Sequence, residues 1–486
     1  MTALSIATLS GESTAIEEDE LAHLAASLRG TLVRPDSPGY DEARVVFNGM
    51  FDRRPAAIVR AAGTADVVDD VSFARKHDLL MAIRAGGHSL PGHSSCEGGL
   101  LLDLSTMRGV YVDRMAKTVR VQGGATWADV DRETQVHGLA TPGGVVSNTG
   151  VAGLTLNGGL GYLRSKYGFG CDALVSAEVV TANGEVLTAS ADENPDLFWA
   201  LRGGGGNFGV VTSFEFQLYP VGPLVATAIT FYDPADARSI LPRWRDYMAT
   251  APDEVTSNAV FWTGVGPPHM PEAVDGRDVL ITVGFYTGPA EEGDRVMQPL
   301  RELGTPIFDM SGTMPYCVLQ SAFDFFFPVD GTVSAYFKSV YLADLTEDAI
   351  ELLIEAAASR PSSSCAINIP HLGRGVRDVP IEATAFAGRG APFMVSYDAI
   401  WPSDEEDAPN VAWARDSWTK MQPHSTGGTY LNFAGEEEEA GAAGYVRSAF
   451  AANYERLVDV KTKYDPTNFF RLNQNIQPRG AEARAK

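Results

Sequence analysis

Between residues 55 and 220, short apolar runs alternate with amphipathic stretches and glycine turns. Pro55-Ala56-Ala57-Ile58-Val59-Arg60 and Leu79-Leu80-Met81-Ala82-Ile83 read as short buried strands. Between them Thr64 is placed to cap a helix, with Val67, Val68, Val71 and Phe73 as its apolar face. Leu100 to Leu104, Val119 to Val121, Ala177 to Thr181 and Val210 to Leu218 predict further strands, and the whole stretch reads as a mixed α/β domain. Beyond Pro220 glycine thins out. Helical patterns at Glu347 to Ala358 and Asn410 to Met421 alternate there with strand-like runs such as Val279 to Phe285. That part predicts a second domain, an antiparallel sheet carrying helices on one face, and the fold class is α+β. Gly435 to Gly444, with its acidic run Glu436 to Glu439, predicts a solvated loop.

At 486 residues the chain is long enough for at least two hydrophobic cores. Its 45% hydrophobic and 21% charged residues are ordinary for a globular protein, and no apolar run is long enough to span a bilayer. The first twenty residues, MTALSIATLSGESTAIEEDE, lack the basic and apolar regions of a signal peptide, so a cytoplasmic location is expected. A net charge of −24 and a pI near 4.7 repel phosphate backbones and anionic lipid, which excludes nucleic acid and membrane as principal partners. Cys96, Cys171, Cys317 and Cys365 form no CxxC pair and the eight histidines no HExxH spacing, so no metal site or disulfide framework is predicted.

Chemistry is concentrated in glycine-rich loops. The strand ending at Ile83 empties into Arg84-Ala85-Gly86-Gly87-His88-Ser89-Leu90-Pro91-Gly92-His93, where glycines let backbone approach a ligand and His88 is placed either to tether a cofactor or to bond nearby backbone. Gly204 to Gly209 satisfies GxGxxG, but the alternating Val210 to Leu218 that follows is a strand, whereas a dinucleotide fingerprint requires a helix there. Together with Thr141-Pro142-Gly143-Gly144 and Gly150 to Gly161, these loops read as walls of one cavity, able to offer backbone N–H groups to a pyrophosphate without basic side chains.

These segments resemble the berberine bridge enzyme type of FAD-linked oxidases, whose FAD-binding domain is shared with vanillyl-alcohol oxidase and 6-hydroxy-D-nicotine oxidase. The resemblance rests on Arg84 to His88, Gly150 to Leu154, Lys166-Tyr167-Gly168, Ala191 to Gly203 and the tail Tyr464 to Ile476. It implies an FAD-binding domain over residues 1–220 (core 50–220), a substrate domain over 221–439, and a C-terminal segment, 440–486, returning to the first. His88 resembles the histidine bonded to the flavin. Arg84, Gly86, Gly87, Ser89 and His93 are implied around it, with Pro142, Gly143, Ser147, Thr149, Gly150, Gly153, Leu154 and Gly161 on the middle loops and Val211, Asn432 and Asn473 beyond. Val146 stands where many relatives carry a second flavin-linking cysteine, so a single link is expected, with Cys171 structural. Thr149 is smaller than the leucine associated with dehydrogenases and implies room for O2, hence an oxidase releasing hydrogen peroxide.

Leu90 and Leu160 occupy positions where relatives that oxidise plant alcohols carry tyrosines. The candidates left for proton removal are Tyr430 in the segment Tyr430-Leu431-Asn432, Tyr397, Asp398 and Tyr162. The expected substrate is a small-molecule alcohol, a sugar or secondary-metabolite hydroxyl. Alternatives are an amine, after the nicotine oxidase, or a flavin- or sugar-binding module that has lost catalysis.

Overall fold

The computed structural model describes residues 3–435 and 439–480, with 439–443 described by backbone alone. Three sheets position the site. The first has the order Thr31–Val33, Ala57–Arg60, Leu100–Asp103, Met81–Arg84; its last three strands are parallel and the edge strand Thr31–Val33 antiparallel. Strands covered on both faces carry unbroken apolar runs, and all of Leu100–Asp103 is buried. The crossover helix Thr64–Lys76 packs Val67 and Val71 on this sheet, while Val68 and Phe73 are only half-buried. Thr64 does not cap it. Gly63 holds the cap position, and Thr64 Oγ1 instead donates to Glu178 Oε1 of the neighbouring sheet at 2.7 Å.

The second sheet is antiparallel, in the order Val186–Ser190, Leu174–Val180, Val210–Gln217, Thr118–Gln122, Val110–Asp113. The run after GxGxxG is therefore a strand, which buries Val210, Val211, Thr212, Phe214 and Phe216.

Residues 224–402 form the third sheet, eight antiparallel strands whose long members include Leu224–Tyr232, Val255–Thr263, Asp278–Tyr286, Val333–Leu342 and Phe393–Pro402. Helices Ala237–Met248, Gly293–Arg301, Glu347–Ala358 and Asp407–Met421 cover one face, sharing a core through Trp244, Met297, Leu353 and Trp413. The other face turns toward the first two sheets.

The C-terminal helix Tyr454–Tyr464 joins the core of the second sheet through Leu457, Val458 and Val460, beside Phe198 and Trp199. Fully buried Lys461 then ties the tail down: Nζ donates to Asp465 at 2.6 Å and to the carbonyls of Asn207 and Phe470, each at 2.8 Å. Asp465 in turn accepts the backbone N–H groups of Phe469 and Phe470, which enter the core of the first sheet. The loop expected over 435–444 is a correction in part. Helix Glu439–Phe450 begins inside it, driven by the alanines at 440, 442 and 443, and residues 436–438 lie outside the described residues.

Candidate active site

Where the three sheets face one another they enclose a cavity. Gly86, Gly87, His88, Ser89 and His93 line it from the first loop, Thr149, Gly150, Gly153 and Leu154 from the second, and Val211, Asn432 and Asn473 from elsewhere. The glycines serve two purposes. A Cβ on Gly86 would lie 2.3 Å from the nitrogen of Gly150, so these two loops touch only because both residues lack side chains. At Gly153 and Gly206 a Cβ would meet nothing within 4 Å, leaving bare backbone open toward a ligand.

His88 stacks on Phe47, with ring centroids 5.2 Å apart and planes inclined by 15°. Its Nε2 is buried without a hydrogen-bond partner among the described residues. Burial pushes the imidazole down to about 4 against the opposing contacts of Asn148, so the ring is neutral at physiological pH and its nitrogen lone pair is free to form a bond. Asn473 Oδ1 is likewise buried and unpartnered, while its Nδ2 donates to the carbonyls of Gly206 (3.1 Å) and Phe470 (3.0 Å). An orphaned imidazole nitrogen, orphaned amide oxygen and bare glycine backbone fit a dinucleotide such as FAD.

Five residues expected around the cofactor stand behind the wall instead. Arg84 turns into the first sheet, pairing with Asp103 at 2.8 Å and donating to the carbonyl of Val45. Gly143 is packed on the Trp127 ring, Gly161 abuts the Gly143 carbonyl, and the Pro142 carbonyl faces Gly170. Ser147 gives its N–H and hydroxyl to Asp324, at 2.7 and 2.5 Å. These contacts shape the loops, and none of the five residues lines the cavity. Val146, Leu90 and Leu160 do line the cavity, whereas Cys171 is buried behind it, in the cluster it shares with Leu160, Phe169 and Tyr430.

The four candidates for proton removal separate clearly. Tyr430 and Asp398 line the cavity, as does Tyr162, whose phenol is pushed up by burial against the pull of Arg164. Tyr397 is on the other face of its strand, packed edge-on against Trp413 at 6.1 Å in the helix-covered core; strand alternation sends neighbouring residues 397 and 398 to opposite sides. Tyr397 thus leaves the candidate set. Tyr430 Oη accepts three N–H groups, from the backbone of Gly159 (3.1 Å) and Leu160 (2.9 Å) and from Asn432 Nδ2 (3.0 Å). A neutral phenol oxygen has two lone pairs, so three converging donors suit the phenolate better than the phenol. Burial nevertheless pushes this phenol up to about 12 against those donors. Burial also raises Asp398, to about 7, opposed by the hydroxyl of Ser396 that donates to it.

Further cavity residues escaped sequence reasoning. Asn258, Val260 and Trp262 come from one strand, Ala366 and Asn368 from another, and Phe323, Phe326 and Phe327 from the segment whose Asp324 holds Ser147. A polar residue amid buried strand positions, Asn258 within Val255–Thr263, was the available signal.

Residues 55–190 match the FAD binding domain family, and residues 429–477 match the berberine and berberine-like family. An FAD-linked oxidoreductase of Dictyostelium discoideum is 32% identical over 93% of this chain and 95% of its own length. The (R)-6-hydroxynicotine oxidase of Paenarthrobacter nicotinovorans is 29% identical over 94% of this chain and 98% of its own. The crystal structure of 6-hydroxy-D-nicotine oxidase from Arthrobacter nicotinovorans superposes with a TM-score of 0.80 at 27% identity, covering 93% of this chain and 98% of that one. With the glycine cradle, the returning C-terminal tail and full-length similarity together, the chain belongs to the berberine bridge enzyme-like family of FAD-linked oxidoreductases.

Proposed function

We propose that this enzyme is an oxidase that holds FAD through one covalent bond to His88 and oxidises a small-molecule alcohol, with O2 as electron acceptor. The single observation that carries proton abstraction is the triple N–H coordination of Tyr430 Oη. When bound, FAD would supply two-electron redox chemistry, with hydride acceptance from a substrate carbon and O2 as final acceptor giving hydrogen peroxide. The protein's part is position and proton handling. His88, stacked on Phe47, would hold the cofactor, and the bare backbone at Gly86, Gly87, Gly153 and Gly206 lines the same cavity. Tyr430 takes the hydroxyl proton through its phenolate form, the minor species at neutral pH, whose charge is met by the N–H groups of Gly159, Leu160 and Asn432. Asp398, titrating near neutrality within the same cavity, is a second group able to take up a proton there. Val146 offers no second link, and Thr149 leaves space for O2. Four free cysteines accord with a cytoplasmic, reducing location.

Similarity to (R)-6-hydroxynicotine oxidase supports a second possibility, an amine substrate. A neutral amine loses hydride without first surrendering a proton, so the two readings differ in their need for Tyr430. Anaerobic mixing with candidate substrates tests them. Bleaching by an alcohol in wild type but not in Tyr430→Phe supports the alcohol. Bleaching by an amine, undiminished in the variant, supports the amine. A binding module without catalysis would be bleached by neither.

A further inference from the structure

The sheet wall of the cavity combines apolar side chains with an unusual polar relay. Along Val255–Thr263, Asn258, Val260 and Trp262 face inward; Ala366 and Asn368 do so from Ala366–Pro370 beside it. Arg164 lies behind this wall, fully buried. Its guanidinium donates to the carbonyls of His371, Gly161 and Ser257, each at 2.9 Å, and to Asn258 Oδ1. Every one of those partners is neutral. Burial draws the guanidinium down only to about 9, so the group remains a cation at neutral pH.

That charge sets the direction of the amides in front of it. With Asn258 Oδ1 turned to Arg164, Asn258 Nδ2 faces outward and donates to Asn368 Oδ1 at 3.0 Å. Asn368 has thereby used its carbonyl as acceptor, and its Nδ2 donates to no described residue. A half-exposed Asn368 thus presents to the cavity an N–H group polarised by a cation two amides away. Val260 lies opposite it on the neighbouring strand, and Val283, Ile400, Phe337 and the pair Trp262 and Phe326, whose rings meet at 4.0 Å and 62°, line the same cavity. No lysine or arginine lines the cavity among the described residues; the relay offers a neutral N–H donor on a wall that also carries the Asp398 carboxyl and is otherwise largely apolar.

Building on the oxidase assignment, we propose that the substrate is a flat, ring-containing molecule whose conjugated carbonyl oxygen accepts a hydrogen bond from Asn368 Nδ2, and that oligosaccharides are rejected. A conjugated carbonyl is a good neutral acceptor and its rings match the apolar wall. An oligosaccharide would bury many hydroxyls against a sheet wall whose hydrogen-bonding side chains are Asn258, Asn368, Ser364, Asp398 and the Trp262 indole, leaving most of those hydroxyls unpaired.

Two probes differing in this one group test the assignment on the flavin-loaded enzyme: 2-acetylnaphthalene and 2-ethylnaphthalene, with cellobiose as the sugar. Binding is read as perturbation of the flavin absorbance, without turnover. Wild type is expected to bind the ketone at least about fivefold more tightly than the ethyl compound, the effect of one polarised hydrogen bond, and to give no signal with cellobiose. Asn368→Leu should erase that ratio while leaving the ethyl compound within about twofold. Asn368→Asp, which retains size and replaces the donor with an acceptor, should push the ratio to or below one and serves alone if the leucine variant does not fold. Equal affinities in wild type, a ratio that survives substitution, or cellobiose binding as tightly as the ketone would overturn the proposal. Failure of the oxidase assignment is separable: the ketone preference persists while no alcohol or amine bleaches the flavin.

Discussion

Replacing Tyr430 with phenylalanine removes one oxygen atom and has two calculable consequences. Three N–H groups converge on that oxygen. Asn432 Nδ2 retains a second acceptor, the Leu154 carbonyl at 3.0 Å, but the backbone N–H groups of Gly159 and Leu160 are left in a buried region with none. At about 1–3 kcal/mol for each buried donor left unpaired, the variant should lose roughly 2–6 kcal/mol of stability, less if water enters the vacated space. The catalytic loss is separate and larger: removing a general base typically slows the chemical step by about 10²- to 10⁴-fold. Stopped-flow reduction under anaerobic conditions measures that step free of reoxidation, and thermal unfolding measures the stability change on the same preparation. Stability loss alone cannot slow single-turnover reduction in protein that remains folded and yellow. A Tyr430→Phe enzyme that is folded and reduced by an alcohol within about threefold of the wild-type rate would falsify the assignment of Tyr430 as proton acceptor.

The remaining predictions address neighbouring features. If Asp398 takes up a proton as carboxylate during reduction, flavin reduction should fall as pH drops below about 7, and Asp398→Asn should flatten that limb of the profile. Asp70 is fully buried with both carboxylate oxygens unpartnered among the described residues, and burial raises it well above the ordinary carboxylate range. Because the folded-state value exceeds the unfolded one, its unfavourable contribution is absent below about pH 4 and grows as pH rises past that point. Asp70→Leu should therefore raise stability by about 1–3 kcal/mol at pH 7 and by much less at pH 4, as measured by denaturant titration at both. Lys461→Met strands the buried Asp465 carboxylate and should cost about 3–5 kcal/mol, visible as a lowered Tm. Thr149→Leu should slow reoxidation by O2 at least about tenfold while leaving anaerobic reduction within about threefold, as followed by double-mixing stopped flow.

Local signals in the sequence located elements well. Glu347–Ala358 forms the predicted helix, and the alternation after Gly209 correctly yields a strand where GxGxxG alone suggests a nucleotide-binding helix. Those features depend on periodicity, which neighbouring residues enforce. Thr64 shows where locality fails: its hydroxyl had an equally good partner in Glu178, more than a hundred residues away, and tertiary geometry chose it. The cavity-lining glycines were legible because glycine stands out in sequence. Gly143 and Gly161 were equally conspicuous but serve packing, since only the fold determines whether the missing side chain makes room for a ligand or for Trp127. The relay through Arg164, Asn258 and Asn368 was illegible because it joins three segments by side-chain contact alone, and no single stretch carries its pattern.

Attachment of FAD at His88 is the central claim, and acid precipitation tests it most directly. Wild-type protein and a His88→Ala variant are denatured, washed free of unbound flavin, and examined by visible absorbance and intact mass. The wild-type pellet should remain yellow and carry the mass of one FAD, and the variant pellet should be colourless and unmodified. A colourless, unmodified wild-type pellet beneath a yellow supernatant, or a variant that still carries the added mass, would contradict it.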